Sequence, residues 1–124
     1  EQFEGAINEV EALKRQHKIK EGTYLNAVVT DGERMVATRF LSTDDDEPLT
    51  LYVSEGSRYV CEEGVCRMVK ADPKEHSVLV VSEKLTTMRN DWKKIPANHF
   101  VTVSETGDVG FAPVRVNKRF KLSA

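Results

Sequence analysis

The period of the hydrophobic positions changes once, near residue 22. From Glu1 to about His17, apolar residues recur at the spacing of a single helical stripe. The stripe consists of Phe3, Ala6, Ile7, Val10 and Leu13, and the opposite face carries Glu4, Glu9, Glu11, Lys14 and Arg15. This spacing predicts an amphipathic helix within residues 1–20, with Gly22 marking the break after it.

From residue 23 onward, short runs of β-branched, aromatic and other apolar residues predict strands. Tyr24–Thr30 and Met35–Leu41 flank Asp31-Gly32, a pair that favours a tight hairpin because Gly accepts a positive φ. Tyr24–Thr30 is apolar on both faces, which predicts an interior strand that is covered on both sides. The later predicted strands are Leu49–Val53, Tyr59–Cys61, Val65–Val69, Ser77–Val81, Phe100–Val103 and Val109–Val114, with one turn of helix near Leu85–Trp92.

These elements predict an α+β domain in which one N-terminal helix precedes a mainly antiparallel sheet. We expect a helical segment at 1–20, a β-rich part at 23–114 and a tail at 115–124. A sheet that is apolar on both faces needs cover on both faces. The predicted helix covers one face, and the remaining chain looks too short to supply a second sheet. Layer counting therefore predicts a fragment or an obligate partner.

Composition narrows the class of protein. The chain has 124 residues and a net charge of −2, so it lacks the basic excess that nucleic-acid binding requires. No apolar run approaches the ~20 residues that span a bilayer, and no signal peptide is recognisable. Two cysteines are too few for a disulfide-stapled secreted scaffold, which favours a reducing, cytoplasmic setting. Because residue 1 is Glu rather than Met, we expect a chain that was processed, excised or trimmed.

Cys61 and Cys66 form a C-x4-C pair across the predicted turn Glu62-Glu63-Gly64. A redox switch or half of a metal site is one interpretation, but zinc needs four ligands and only His76 or His99 could join. Two buried hairpin cysteines are the favoured interpretation. A disulfide stays open as an alternative, since cross-strand cysteines can come close enough.

Other polar groups favour structural roles. The acidic run Asp44–Glu47 lacks the Gly and distal Glu of a calcium loop, so a solvated loop is expected. Glu83, after the buried run Val78–Val81, is predicted to pair with a cation such as Arg39. Trp92 is predicted to be a hydrophobic plug over the sheet. His17, His76 and His99 lie in polar or turn contexts, with no recognisable nucleophile motif beside them.

Several blocks of the chain resemble class II glutamine amidotransferases, and the closest type is the one associated with glutathione breakdown in fungi. The blocks are Leu25–Phe40, Arg67–Lys70, Val80–Thr86, Asp91-Trp92, Ile95-Pro96 and His99–Val103. The resemblance covers roughly residues 1 to 114 and follows the same order as in the family. It implies the C-terminal part of an N-terminal nucleophile hydrolase domain, an αββα sandwich.

The resemblance also implies a mechanism. In the family an N-terminal Cys attacks the glutamine side-chain amide, and its own α-amine serves as the base. An Asn-Gly pair stabilises the oxyanion, and an Arg and an Asp hold the substrate. None of these motifs is found here: residue 1 is Glu, no Cys lies near the start, and Asn26 and Asn90-Asp91 are not in the motif's context. We therefore assign no catalytic, cofactor-binding or metal residue and no cofactor.

The leading hypothesis is a part of an amidohydrolase whose parent cuts a glutamine or γ-glutamyl amide, while this chain lacks the catalytic residues. The expected partners are the missing N-terminal half of the domain or a self-associating copy, with a second protein subunit as a further option. Neither nucleic acid nor membrane is expected as a partner. The rival hypotheses are a stand-alone β-rich module for protein binding or assembly, and a small β-barrel that binds a ligand.

Overall fold

The period change predicted at residue 22 separates one helix from nine strands in the computed structural model, which describes residues 1–117. The helix α1 spans Gln2–Gln16. The strands are β1 Tyr24–Thr30, β2 Met35–Leu41, β3 Tyr52–Glu55, β4 Ser57–Glu62, β5 Val65–Lys70, β6 Val78–Val81, β7 Lys93–Lys94, β8 His99–Val103 and β9 Val109–Pro113. A 3-10 turn at Pro73–Glu75 precedes β6. Of the predicted tail, 118–124 lie outside the described residues.

The described strands form three antiparallel sheets. The largest has the order β1-β2-β8-β9, the second has the order β6-β3-β7, and β4 pairs only with β5. The chain is therefore α+β with mainly antiparallel sheets, as the sequence predicts. We call the first two sheets the main sheet and the second sheet, and β4–β5 the hairpin. Within residues 1–117, no helix has the length and apolar composition needed to cross a lipid bilayer.

The main sheet carries an apolar cluster on each face. On one face Phe40 and Phe100 pack with Ile7 of α1, and the rings of Phe3 and Phe100 lie 5.5 Å apart. On the other face Ala37 and Val101 pack with Leu51, Val53 and Ile95. Val53 lies in β3 of the second sheet, Leu51 directly precedes β3, and Ile95 directly follows β7. The prediction that the chain cannot supply a second sheet is therefore wrong, because short strands β3, β6 and β7 assemble from segments distant in sequence.

Strand β1 is not an interior strand. It lies at the edge of the main sheet, and Val28 and Val29 are 51% and 52% exposed. These neighbours point to opposite faces, so both faces of the sheet lose their cover near the end of this strand. The predicted bounds of this strand are correct, but the prediction that it is an interior strand covered on both sides is wrong.

The helix is rotated away from its predicted orientation. Val10 and Leu13 of the apolar stripe are 48% and 55% exposed, whereas Glu11 is 8% exposed. Glu11 accepts a hydrogen bond from Thr23 Oγ1 at 2.6 Å and lies 3.7 Å from Lys14 Nζ. These polar contacts to the chain after the helix pull that face inward. The helix therefore leaves part of its apolar stripe in solvent.

The two predicted hairpin turns differ in length. Between β1 and β2, Thr30 pairs with Met35, so Asp31–Arg34 form a longer loop than the Asp31-Gly32 dipeptide alone predicts. Between β4 and β5, Glu62 pairs with Val65 across Glu63-Gly64. Local polar bonds explain the first case, since the Asp31 carboxylate accepts from the backbone N–H groups of Glu33 and Arg34.

Two other predicted elements shift. The predicted strand Leu49–Val53 is observed at Tyr52–Glu55, because the carbonyls of residues 48–50 bond to side chains rather than to a strand. The predicted helical turn near Leu85–Trp92 is absent among residues 1–117, where that segment forms bends and turns. Its side chains bond to one another, which replaces helical backbone bonds.

Candidate functional site

A buried guanidinium lies where the two sheets meet. Arg39 is on β2, on the face of the main sheet that also presents Ala37, and its side chain is directed toward the second sheet. The residue is only 4% exposed. A buried cation needs compensating groups, because removing charge from water is expensive.

Arg39 finds those groups in the backbone. Its Nε donates to the carbonyl of Leu49 at 2.9 Å, Nη2 to the carbonyl of Pro48 at 2.9 Å, and Nη1 to the carbonyl of Ile95 at 3.1 Å. Within residues 1–117, these carbonyl oxygens are its hydrogen-bond partners, and no carboxylate forms an ion pair with it. The planar fork of a guanidinium suits three acceptors in different directions, which an ammonium group could not match as rigidly.

Asn26 completes this polar junction from the neighbouring strand. It is the cross-strand partner of Arg39, and its Nδ2 donates to the carbonyls of Leu49 at 3.1 Å and Thr50 at 3.0 Å. Its Oδ1 is buried without a hydrogen-bond partner in the described part of the chain. Exchanging the amide oxygen and nitrogen would place the oxygen against two carbonyl oxygens, so the observed orientation is the better one.

The junction fixes position rather than moving protons. A guanidinium is a permanent cation in proteins, and an amide does not titrate, so neither group serves as an acid or a base. Together they hold the segment Pro48–Thr50 and the start of the chain after β7 against the main sheet. Ile95 N also donates to the carbonyl of Leu51 at 2.9 Å, which extends the same linkage into the second sheet.

Glu83 does not form the predicted pair with Arg39. Glu83 is exposed, and the partners of Arg39 are carbonyl oxygens. The adjacent residue Ser82 bonds to the segment Pro48–Thr50 instead: its carbonyl accepts a hydrogen bond from Thr50 Oγ1 at 2.8 Å. The sequence gives no signal for this arrangement, because every residue offers the same backbone carbonyl.

Trp92 is 6% exposed, which confirms that it is buried. Its indole Nε1 donates to Thr86 Oγ1 at 3.0 Å, and Thr86 Oγ1 donates to the carboxylate of Asp91. This chain of bonds satisfies the polar end of a buried indole. These bonds join side chains within the loop between β6 and β7 and stabilise its conformation.

The histidines lie on separate elements. His17 caps the end of α1, and His76 follows the 3-10 turn with φ 47°. His99 begins β8, and its Nδ1 lies 2.8 Å from the carbonyl of Ala97. Among residues 1–117, no group of three or more His, Cys, Asp or Glu side chains is arranged to hold a metal ion.

The two cysteines are neither buried nor free. Cys61 and Cys66 are exposed and form a disulfide within the hairpin. The favoured interpretation of two buried thiols is therefore wrong, and the disulfide alternative is correct. The reason is the register: the short turn at Glu63-Gly64 places these residues directly opposite each other.

The acidic run Asp44–Glu47 is a solvated loop, as predicted. Asp46 accepts a hydrogen bond from the Tyr24 hydroxyl at 2.6 Å. This bond lowers the pKa of Asp46 and raises the pKa of the Tyr24 hydroxyl. The loop is therefore anchored to the edge strand β1 at one carboxylate.

An open groove of about 510 Å³ lies at one end of the main sheet, lined by residues of β2, β8 and β9. Met35, Val103 and Val109 give it a mainly apolar lining, with Arg34 and Asp108 at its rim. Ser104 and Asp108 also line the groove, and Ser104 Oγ donates to the Asp108 carboxylate at 3.4 Å within the turn between β8 and β9. The groove was not predicted from the sequence, because it depends on how three strand ends are staggered.

The Arg39–Asn26 junction does not identify a protein family, but sequence comparison does. The chain belongs to a glutamine amidotransferase-like family, which confirms the resemblance found in its sequence blocks. It is similar to the probable glutamine amidotransferase DUG3 of Saccharomyces cerevisiae, with 35% identity over 86 residues. The match covers 68% of this chain and 24% of the relative, in the relative's C-terminal part. No family model matches the chain, and no solved structure matches it significantly.

Proposed function

We propose that residues 1–124 are the C-terminal portion of a class II glutamine amidotransferase domain of the N-terminal nucleophile hydrolase type. The whole protein would hydrolyse the amide of glutamine or of a γ-glutamyl compound through an N-terminal Cys outside this chain. The similarity to DUG3 carries this proposal, because it is 35% over 86 residues and is confined to that relative's C-terminal part.

The order of the layers supports the proposal. Helix α1, the main sheet and the second sheet stack in the order α-β-β, which is three of the layers in an αββα sandwich. Val53 and Val80 face the main sheet, so Tyr52, Leu79 and Val81 point to the outer side of the second sheet. These three residues are half-buried. A further helical layer on that side would complete their cover.

In this proposal the chain contributes position rather than chemistry. The upstream thiol gives its proton to the α-amine of the same Cys and attacks the amide carbon. The amine returns that proton to the departing nitrogen, so ammonia leaves and a thioester forms, which water then hydrolyses to the free acid and the thiol. Backbone and amide donors stabilise the oxyanion. The Arg39 junction keeps the second sheet and Pro48–Thr50 in register with the main sheet, so that one wall of the cleft is rigid. Glutathione-type γ-glutamyl peptides are the proposed substrates beside free glutamine.

The test uses the complete reading frame that encodes this chain. Ammonia or amino-acid release is measured from glutamine and from γ-glutamyl peptides, with and without an electrophilic glutamine analogue. We expect release that the analogue abolishes, and a Cys at the mature N-terminus. A protein with neither amidohydrolase activity nor such a Cys contradicts the proposal. As a control for substitutions in this chain, the variant Val65→Ala on the exposed hairpin should keep full activity.

A second candidate is a stand-alone module for protein binding or assembly. Exposed apolar side chains favour it: Val10 and Leu13 on α1, and Val28 and Val29 on the edge strand β1. Sedimentation of residues 1–124 at several concentrations discriminates the two. A monodisperse monomer favours the module, whereas self-association that an added upstream fragment relieves favours the partial domain.

A further inference from the structure

The hairpin is attached to the rest of the molecule mainly at its base. Gly56 N donates to the carbonyl of Ser77 at 2.9 Å, and Ser77 Oγ donates to the carbonyl of Ser57 at 2.6 Å. Toward the turn, the side chains on both strands are exposed, and Val65 is 63% exposed. The far end of the hairpin is therefore accessible to molecules in solution from both faces.

The turn closes the hairpin without help from sulfur. Glu63 and Gly64 have φ values of 51° and 80°, the two positive angles of a type I′ turn. This turn type matches the right-handed twist of the flanking strands. Residue pairing then runs from Glu62 and Val65 at the turn to Ser57 and Lys70 at the base. The turn and the pairing use backbone groups alone, so we expect both to persist when the cysteines are reduced.

The disulfide lies one pair below the turn. Cys61 and Cys66 are direct cross-strand partners with Cα atoms 4.0 Å apart. The pair at the turn exchanges backbone hydrogen bonds, so the next pair is of the non-hydrogen-bonded kind, in which side chains come closest. Both residues are exposed, so we expect a reagent to reach either sulfur. The loop they close is short, and a short loop is the kind that a disulfide stabilises least.

We propose that Cys61 and Cys66 form a thiol–disulfide exchange site for small-molecule thiols. The site opens and closes while the chain stays folded. Three observations carry it: the exposure of both cysteines, their direct pairing, and a type I′ turn beside them that is set by backbone angles. The inference does not depend on the proposed amidohydrolase activity.

The exchange balances in two steps. A thiolate from a small thiol attacks one sulfur, a mixed disulfide forms, the Cys61–Cys66 bond breaks, and the released cysteine thiolate takes a proton from water. A second small thiolate then attacks the mixed disulfide at the small molecule's sulfur. The products are the oxidised small disulfide and two protein thiols, and the electrons come from the small thiols. The reverse sequence restores the protein disulfide.

The experiment treats the folded chain with glutathione at mildly alkaline pH, quenches with an alkylating agent and reads the products by mass spectrometry. We expect reduction in native buffer at a rate within about threefold of that in denaturant, because access does not limit the reaction. Slow exchange of the β2 and β8 amides should persist in the reduced protein. Reduction that is at least a hundredfold slower in native buffer, or that unfolds those strands, overturns the proposal.

Single-cysteine variants give an independent readout. Cys61→Ser leaves Cys66, and Cys66→Ser leaves Cys61; each is treated with oxidised glutathione. We expect each to form a mixed disulfide with one glutathione, while Cys61→Ser/Cys66→Ser forms none. Single variants that stay unmodified, although a simple thiol reacts under the same conditions, contradict the assignment.

Discussion

The two-sheet sandwich and the hairpin are stabilised by different interactions. In the sandwich, buried residues from distant segments meet: Ala37 and Val101 of the main sheet contact Val53 and Ile95. In the hairpin, almost every contact is local, and both strands are largely exposed. Burial stabilises the first region, and turn geometry with backbone pairing stabilises the second.

The difference shows where a substitution should matter. In the sandwich a polar group survives only when its bonds are satisfied, as Arg39 shows with its three carbonyl partners. In the hairpin, Arg58 and Arg67 form exposed ion pairs at 3.9 Å and 3.3 Å, which contribute little. We therefore expect an arginine to contribute much more to stability in the sandwich than in the hairpin.

The largest expected effect comes from Arg39→Met. It removes the Arg39 donor from the carbonyls of Pro48 and Ile95, while that of Leu49 keeps its bond from Asn26 Nδ2. We expect a loss of about 3–5 kcal/mol in the free energy of unfolding, measured with urea. Arg58→Met is the matched control and should change the value by less than about 0.5 kcal/mol. Equal stabilities for the two variants would contradict the distinction between the regions.

The next effect tests burial without charge. Ile95 is fully buried, so Ile95→Ala should lower the free energy of unfolding by about 2–4 kcal/mol through lost contacts and a cavity. Val65→Ala on the hairpin, at a 63% exposed position, should be nearly neutral. A large loss from Val65→Ala in the same urea titrations would show that the hairpin is buried against something.

A smaller effect compares two glycine turns. Gly107 has φ +81°, and a Cβ there would lie 2.9 Å from the Cβ of His76, whereas Gly32 has φ +95° with nothing within 4 Å. Gly107→Ala should cost about 2–3 kcal/mol and Gly32→Ala about 1 kcal/mol. Thermal unfolding of both variants checks the order, and the reverse order would refute the contact with His76.

The smallest effect is a pH dependence at the β1–β2 loop. Hydrogen bonds from the Arg34 backbone and guanidinium, and from Glu33 N–H, hold the pKa of Asp31 well below its usual value of 3.8. Its contribution to stability is thus present above pH 3.8 and is lost as the pH falls through the lower, folded pKa. The stability advantage over Asp31→Asn should shrink only in strong acid. NMR titration of the carboxyl checks this, and an ordinary pKa would contradict it.

Much of the fold follows from local pattern. The bounds of β1 and β2 are predicted correctly because β-branched runs end at turn residues on both sides. The burial of Trp92 follows from the large apolar surface of its ring. The orientation of α1 does not follow from periodicity: Glu11, bonded to Thr23, is buried while Val10 and Leu13 stay exposed.

The polar junction is harder to predict. Arg39 is recognisable as a charged residue in an apolar strand, so the sequence signals that it needs partners. Those partners are backbone carbonyls, which every residue carries, and only the folded path of Pro48–Thr50 brings them together. The second sheet is hidden for a similar reason, since β7 has only two residues, Lys93 and Lys94.

The most direct test of the account locates the reactive residue of the whole protein. The complete reading frame is labelled with the electrophilic glutamine analogue, digested, and the modified peptide is identified by mass spectrometry. We expect a single label on an N-terminal Cys upstream of residues 1–124, with Cys61 and Cys66 unlabelled. A label within residues 1–124 that excess glutamine prevents would show that this chain carries the catalytic nucleophile, and would contradict its role as a positioning part of the domain.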